Sequence, residues 1–186
     1  MKQADHRALA HYLLACAGTG RALSHGGNRR AFLLGCISPD YLPLTYLRGF
    51  QRSHAMRGHD ARYSALYIRR TIDRLHAREL RGIRDCYTLG CLMHYLADSF
   101  THAHNASFSG NMQAHRRYEA ALHRYFAYYL QRIVRANCSE QQPGTTPHAH
   151  WYRVRRKYER ETGDYERDCR AIVEVCRAVF LALLEK

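Results

Sequence analysis

The chain has 186 residues, 46% of them hydrophobic, which is enough for one sizeable core and points to a single domain over residues 1–186. No run of about 18 apolar residues occurs, and Asp5, His6, Arg7 and His11 interrupt the opening segment, which argues against a membrane-spanning helix and a secretory leader. A formal net charge of +13 favours anionic partners (phosphate esters, nucleic acid or an acidic membrane surface) without choosing among them.

Only four prolines and few alternating strand patterns predict an all-α fold, a helical bundle. In chain order, apolar spacing predicts helices at about 4–17, 28–35, 59–80, 83–101, 112–137 and 164–185. The last shows it most plainly, with Tyr165, Cys169, Ile172, Val173, Cys176, Val179, Phe180, Leu183 and Leu184 on one stripe. Gly, Pro and Ser clusters put loops at "GTGRALSHGGN", "SPDYLPLTYLRGFQRSHAMRG" and "NCSEQQPGTTPHAH". Arginine clusters such as "RVRRKYER" read as solvated helix faces. The seven cysteines form no CxxC pair and mostly sit in apolar helical stretches, where a reduced thiol packs as a small hydrophobe; a cytoplasmic protein is expected.

The fourth predicted helix breaks its own pattern. "GCLMHYLADSFTHAHN" places His94, Asp98, His102 and His104 in a segment otherwise suited to a core. Burying an imidazole or carboxylate costs several kcal/mol, roughly, unless it is hydrogen-bonded, paired or bound to metal. Residues four apart share a helix face, so His94 and Asp98 aim at one point, and "HRRYE" repeats the device with His115 and Glu119. Histidine nitrogens and carboxylate oxygens are donors that zinc accepts at about 2.0–2.2 Å. A single such pair is weak; two in succession with His104 between them are stronger. The bland alternatives are an internal hydrogen-bonded pair at His94–Asp98 and a surface pair at His115–Glu119. His76, His123, His148 and His150 read as solvated or locally bonded.

The ordered set His94, Asp98, His104, His115 and Glu119 resembles the metal core of the zinc-dependent phospholipase C family, a helical fold related to the S1/P1 nucleases. Upstream, "LGCISPDYLP" is similar to the family segment that supplies an early aspartate, here Asp40, and "HYLLACA" to the first helix with its histidine, here His11. A further family histidine follows that aspartate, and His54 in "QRSHAM" is preferred over its rival His59 in "RGHDARYSALY". The resemblance implies two or three zinc ions acting on phosphodiesters. Asp40, His54, His94 and Asp98 would hold one, with Asp98 bridging to a second held by His11; His104, His115 and Glu119 would hold the other. His102 would hydrogen-bond a ligand carboxylate. Family members that mature to an N-terminal tryptophan use its amine and carbonyl as ligands, whereas this chain begins "MKQADH" and has its one tryptophan at Trp151. Asp5 or His6 could take over that place.

The implied activity is hydrolysis of a phospholipid or another phosphodiester by zinc-activated water, with Asp40 as the group that orients the water or takes its proton. A single-strand nuclease and a non-catalytic, metal-stabilised basic protein that binds nucleic acid or acidic membranes are the alternatives. Peripheral membrane contact is compatible with the charge. No P-loop competes, because "SHGGN" lacks the lysine.

Overall fold

Every position from Leu89 to Thr101 is buried, so the helix that carries His94 and Asp98 has no solvent face along its second half. A helix enclosed in this way must be surrounded by others. The computed structural model describes residues 1–17, 21–41, 61–105, 107–135, 146–161 and 163–185. Among them it has seven α-helices and no strand: α1 (Gln3–Cys16), α2 (Gly26–Ile37), α3 (Ala61–His76), α4 (Gly82–Ser99), α5 (Met112–Arg135), α6 (Pro147–Tyr158) and α7 (Tyr165–Leu184). The all-α expectation holds. Short 3-10 turns lie at Ser38–Asp40, after α2, and at His102–His104, after α4.

Helix α4 is the hub, packed against α1, α2, α3 and α7, with α2 its most extensive partner. Its core contacts include Leu89, Leu92, Met93 and Leu96, all within 1% of full burial, and they join Phe32 of α2 and Phe180 of α7 in one apolar cluster. The α2–α4 contact is unusually close because a glycine stands on each side. A Cβ at Gly35 would lie 2.2 Å from the Tyr87 carbonyl oxygen, and one at Gly90 2.2 Å from that of Phe32. Only glycine permits two helix backbones to approach this far.

Helix α6 begins within a segment that composition marks as loop. Thr146 accepts a hydrogen bond from Ala149 N at 3.3 Å and Pro147 occupies the first turn, a favourable start. Its inward face carries Pro147, His150, Trp151, Val154 and Tyr158. The basic run there is not uniformly solvated either. Arg155 donates to the Ser99 carbonyl and, at 2.7 Å, to Asn105 Oδ1, so its guanidinium satisfies the C-terminal end of α4. The six cysteines within the described residues are free thiols. No described helix is long and apolar enough to cross a membrane.

Candidate metal centre

Five elements deliver imidazoles and carboxylates to one region. His6 comes from α1, Asp40 from the turn after α2, and His94 and Asp98 from α4. His104 comes from the turn after α4, and His115 and Glu119 from α5. They form two groups, His6–His94–Asp98 and His104–His115–Glu119, each with donor atoms within 4.8 Å of one another.

In the first group the rings of His6 and His94 stack at 3.9 Å. His94 Nδ1 lies 2.9 Å from the Cys36 carbonyl oxygen, which can only accept, so Nδ1 carries the proton. In the neutral ring, Nε2 then presents its lone pair, and it faces Asp98 Oδ2 at 3.3 Å and Asp40 Oδ1 at 3.5 Å. A lone pair opposed to two carboxylates is repulsive unless a cation sits between them. His6 Nε2 lies 3.3 Å from Asp98 Oδ1, and neither ring nitrogen of His6 has a hydrogen-bond partner among the described residues. Burial first, then the neighbouring His94, pushes the His6 imidazole down to about 3, so the ring is neutral.

In the second group Glu119 Oε1 is 3.1 Å from His104 Nε2 and 3.4 Å from His115 Nε2. The amine of Met1 lies between the two groups, 2.7 Å from Asp98 Oδ1, 3.0 Å from Glu119 Oε1 and 3.2 Å from His104 Nε2. Burial opposes its charge, yet the two carboxylates win and raise it to about 10. A buried ammonium held by the donors of both groups is a stand-in cation. Burial also opposes the charge on Asp98, but the ammonium, His104, His6 and His94 hold its carboxyl well below the usual range. Glu119 is likewise depressed against its burial by hydrogen bonds from His104 and His115 and by the ammonium. The donor set therefore fits a small divalent cation: oxygen and neutral nitrogen donors with net negative charge and orphaned ring nitrogens.

Of the residues expected from sequence, Asp40, His94, Asp98, His104, His115 and Glu119 come together. His11 does not. It is exposed, whereas the buried face of α1 carries Asp5, His6, Leu9, Ala10, Leu13 and Leu14. Five residues beyond His6 is about 140° of rotation, so the two imidazoles leave α1 in different directions, and His6 is the one at the centre. His54 and His59 lie outside the described residues. The His102 ring packs edge-on against Phe108 and Tyr118 rather than on a ligand carboxylate, and it is the backbone N–H of His102 that donates, at 2.7 Å, to Asp168 Oδ2.

Asp168 went unnoticed in the sequence. It is fully buried and accepts from Tyr118 and Tyr158 hydroxyls at 2.7 and 2.8 Å and from Arg167 Nη2 at 2.9 Å. Through His102 it anchors the turn that presents His104. An acid on the otherwise apolar stripe of α7, three residues after Tyr165 and four before Ile172, was the available signal.

An all-α chain that gathers four histidines and three carboxylates from separate helices and turns, around a cation-seeking centre, is by construction a helical protein with a site suited to zinc. The family follows from the whole sequence. A model of the zinc dependent phospholipase C family matches residues 5–182, nearly the whole chain, and the chain belongs to that family. No curated protein and no solved structure matches it.

Proposed function

We propose that this chain is a zinc-dependent phosphodiester hydrolase of the phospholipase C type, acting on a phospholipid or a related phosphodiester. The observation that carries this is His94. Its Nδ1 is committed to the Cys36 carbonyl and its Nε2 confronts Asp40 and Asp98, an arrangement that calls for a cation between them. His6, Asp40, His94 and Asp98 would hold one part of a zinc cluster and His104, His115 and Glu119 another. Asp98 would serve both, and His54 or His59 would complete the set. Zinc, when bound, supplies a Lewis acid for phosphoryl oxygens and makes water acidic enough to attack at neutral pH.

The chain's own residues do the rest. Asp40 is half-buried at the edge of the first group, next to His94 Nε2, where a carboxylate can orient a water and accept its proton as the water attacks phosphorus. The Cys36 carbonyl fixes the His94 tautomer, and the Asp168 anchor fixes the turn bearing His104. The test is elemental analysis combined with turnover. The purified protein should carry roughly two to three zinc ions, and hydrolyse a chromogenic phosphocholine diester in a reaction stopped by chelator and restored by zinc. Absence of bound transition metal after refolding with zinc would overturn the proposal, and turnover of single-stranded nucleic acid alone would transfer it to the nucleases.

A further inference from the structure

A groove of about 1090 Å³ opens between α2, α3 and the first half of α4, and none of the metal-centre donors is among its described lining residues. Its lip is apolar: Leu34, Leu66 and Ile83, from three different helices, are 55%, 46% and 61% exposed. Its rim is basic, with Arg30, Arg70, Arg74 and Arg84, and no acidic side chain lines it among the described residues. Arg30, Arg74 and Arg84 have no carboxylate partner among the described residues. Single exposed apolar residues are ordinary, but three converging on one concavity, ringed by arginine, form a patch with a purpose. Its occupant must bring apolar chains and carry negative charge where they end.

We propose that this groove docks the protein on an anionic phospholipid bilayer, with Leu34, Leu66 and Ile83 entering the acyl boundary and the arginines lying at the level of the lipid phosphates. Apolar area and basic charge add in such interfacial binding. A nucleic acid would match the charge but leave the leucine and isoleucine lip without a partner. The groove also adjoins the centre. Cys91 lies three residues before His94 on α4, and Tyr87, another lining residue, hydrogen-bonds Ser38 at 2.7 Å, two residues before Asp40. Tyr67 of the groove packs on Tyr95, which packs on His94. Docking here would bring lipid phosphodiesters beside the zinc donors; that consequence rests on the proposed hydrolysis, whereas the docking itself does not.

Co-sedimentation of the full chain with lipid vesicles tests it without any turnover. The protein should sediment with vesicles of equal parts phosphatidylcholine and phosphatidylglycerol, not with phosphatidylcholine alone, and less as salt is raised. The pair Arg74→Ser and Arg84→Ser should lower partitioning about 30-fold, while the charge-matched pair Arg156→Ser and Arg160→Ser on and just after α6 should change it little. The triple variant Leu34→Ser, Leu66→Ser, Ile83→Ser should lose vesicle binding with an unchanged thermal melt, because all three side chains are exposed. Failure of the wild-type chain to bind the mixed vesicles, equal losses in the two arginine pairs, or undiminished binding by the triple variant would each overturn the docking. Capture by single-stranded DNA without vesicle binding would overturn it too. Protein that docks but hydrolyses nothing would sink only the enzymatic proposal, and protein that hydrolyses a soluble diester but ignores vesicles would sink only the docking.

Discussion

The two oxygens of Asp98 face different partners. Oδ1 meets the Met1 amine, His6 and, at 4.0 Å, His104, while Oδ2 meets His94. Glu119 offers Oε1 to His104 and His115 in the second group, and its side chain is 19% exposed against 2% for Asp98. The asymmetry predicts different damage. Asp98→Asn should cost the metal-free protein about 3–5 kcal/mol, because it removes the partner of buried charges, and should lower zinc content in both groups. Glu119→Gln should cost less and deplete one group only. Chemical denaturation and zinc analysis of the two variants measure this, and equal metal content and activity would count against a carboxylate shared between groups. At this scale the sequence was legible where helical spacing decides, as at His94–Asp98 and His115–Glu119. It misled where one helix offers two histidines. His6 continues the buried stripe of Leu9, Ala10 and Leu13, while His11 falls outside it.

Between helices, the geometry of the first group depends on how near α2 comes to α4. The Cys36 carbonyl reaches His94 at 2.9 Å because Gly35, its neighbour, and Gly90, one turn before His94, let the two backbones touch. The obstructing atoms are main-chain oxygens, which cannot swing aside as a side chain would. Alanine at either position must push the helices apart, so Gly35→Ala and Gly90→Ala should each destabilise by about 1–3 kcal/mol or more and weaken zinc binding. Gly26→Ala, at the start of the same α2 with nothing within 4 Å of the added carbon, should be neutral or stabilising. Thermal melts and zinc titration compare the three, and a Gly90→Ala protein as stable and as zinc-loaded as Gly26→Ala would contradict the close-contact account. Nothing in the sequence around these glycines distinguishes a helix crossing from a loose helix interior. Helix α6 escaped for a different reason. Its Thr146–Pro147 start was legible as a cap, but the Gly, Pro and Ser content before it and the arginines within it masked the buried Trp151, Val154 and Tyr158.

Across the whole molecule, fold class was legible because six of the seven described helices leave an apolar period. The centre was legible because its donors recur in a fixed order, and what stayed hidden were contacts between distant segments, such as Asp168 with the turn before α5. The same burial that hides the donors makes the zinc-free protein sensitive to acid, and the sign follows from His6. Its folded imidazole titrates at about 3, against 6.5 for the ordinary group, so between these values the unfolded chain binds a proton that the folded chain refuses. Stability must then fall on acidification through that window, by about 1.4 kcal/mol per pH unit for one such group. His104, depressed by burial and by the Met1 ammonium, acts in the same direction below 6.5. Asp98 enters later. Its carboxyl is held well below 3.8, so the stability it contributes is complete above that value and drains away only as the pH drops further. Urea denaturation of chelator-treated protein should therefore show little change between pH 8 and 7, a loss of about 3 kcal/mol from His6 alone by pH 4.5, and a steeper fall below the ordinary aspartate range. His6→Gln should flatten the first part of that profile and leave the second. A wild-type profile level from pH 7 to 4.5 would show that His6 is not buried in neutral form, and would remove the basis for placing it at the centre in preference to His11.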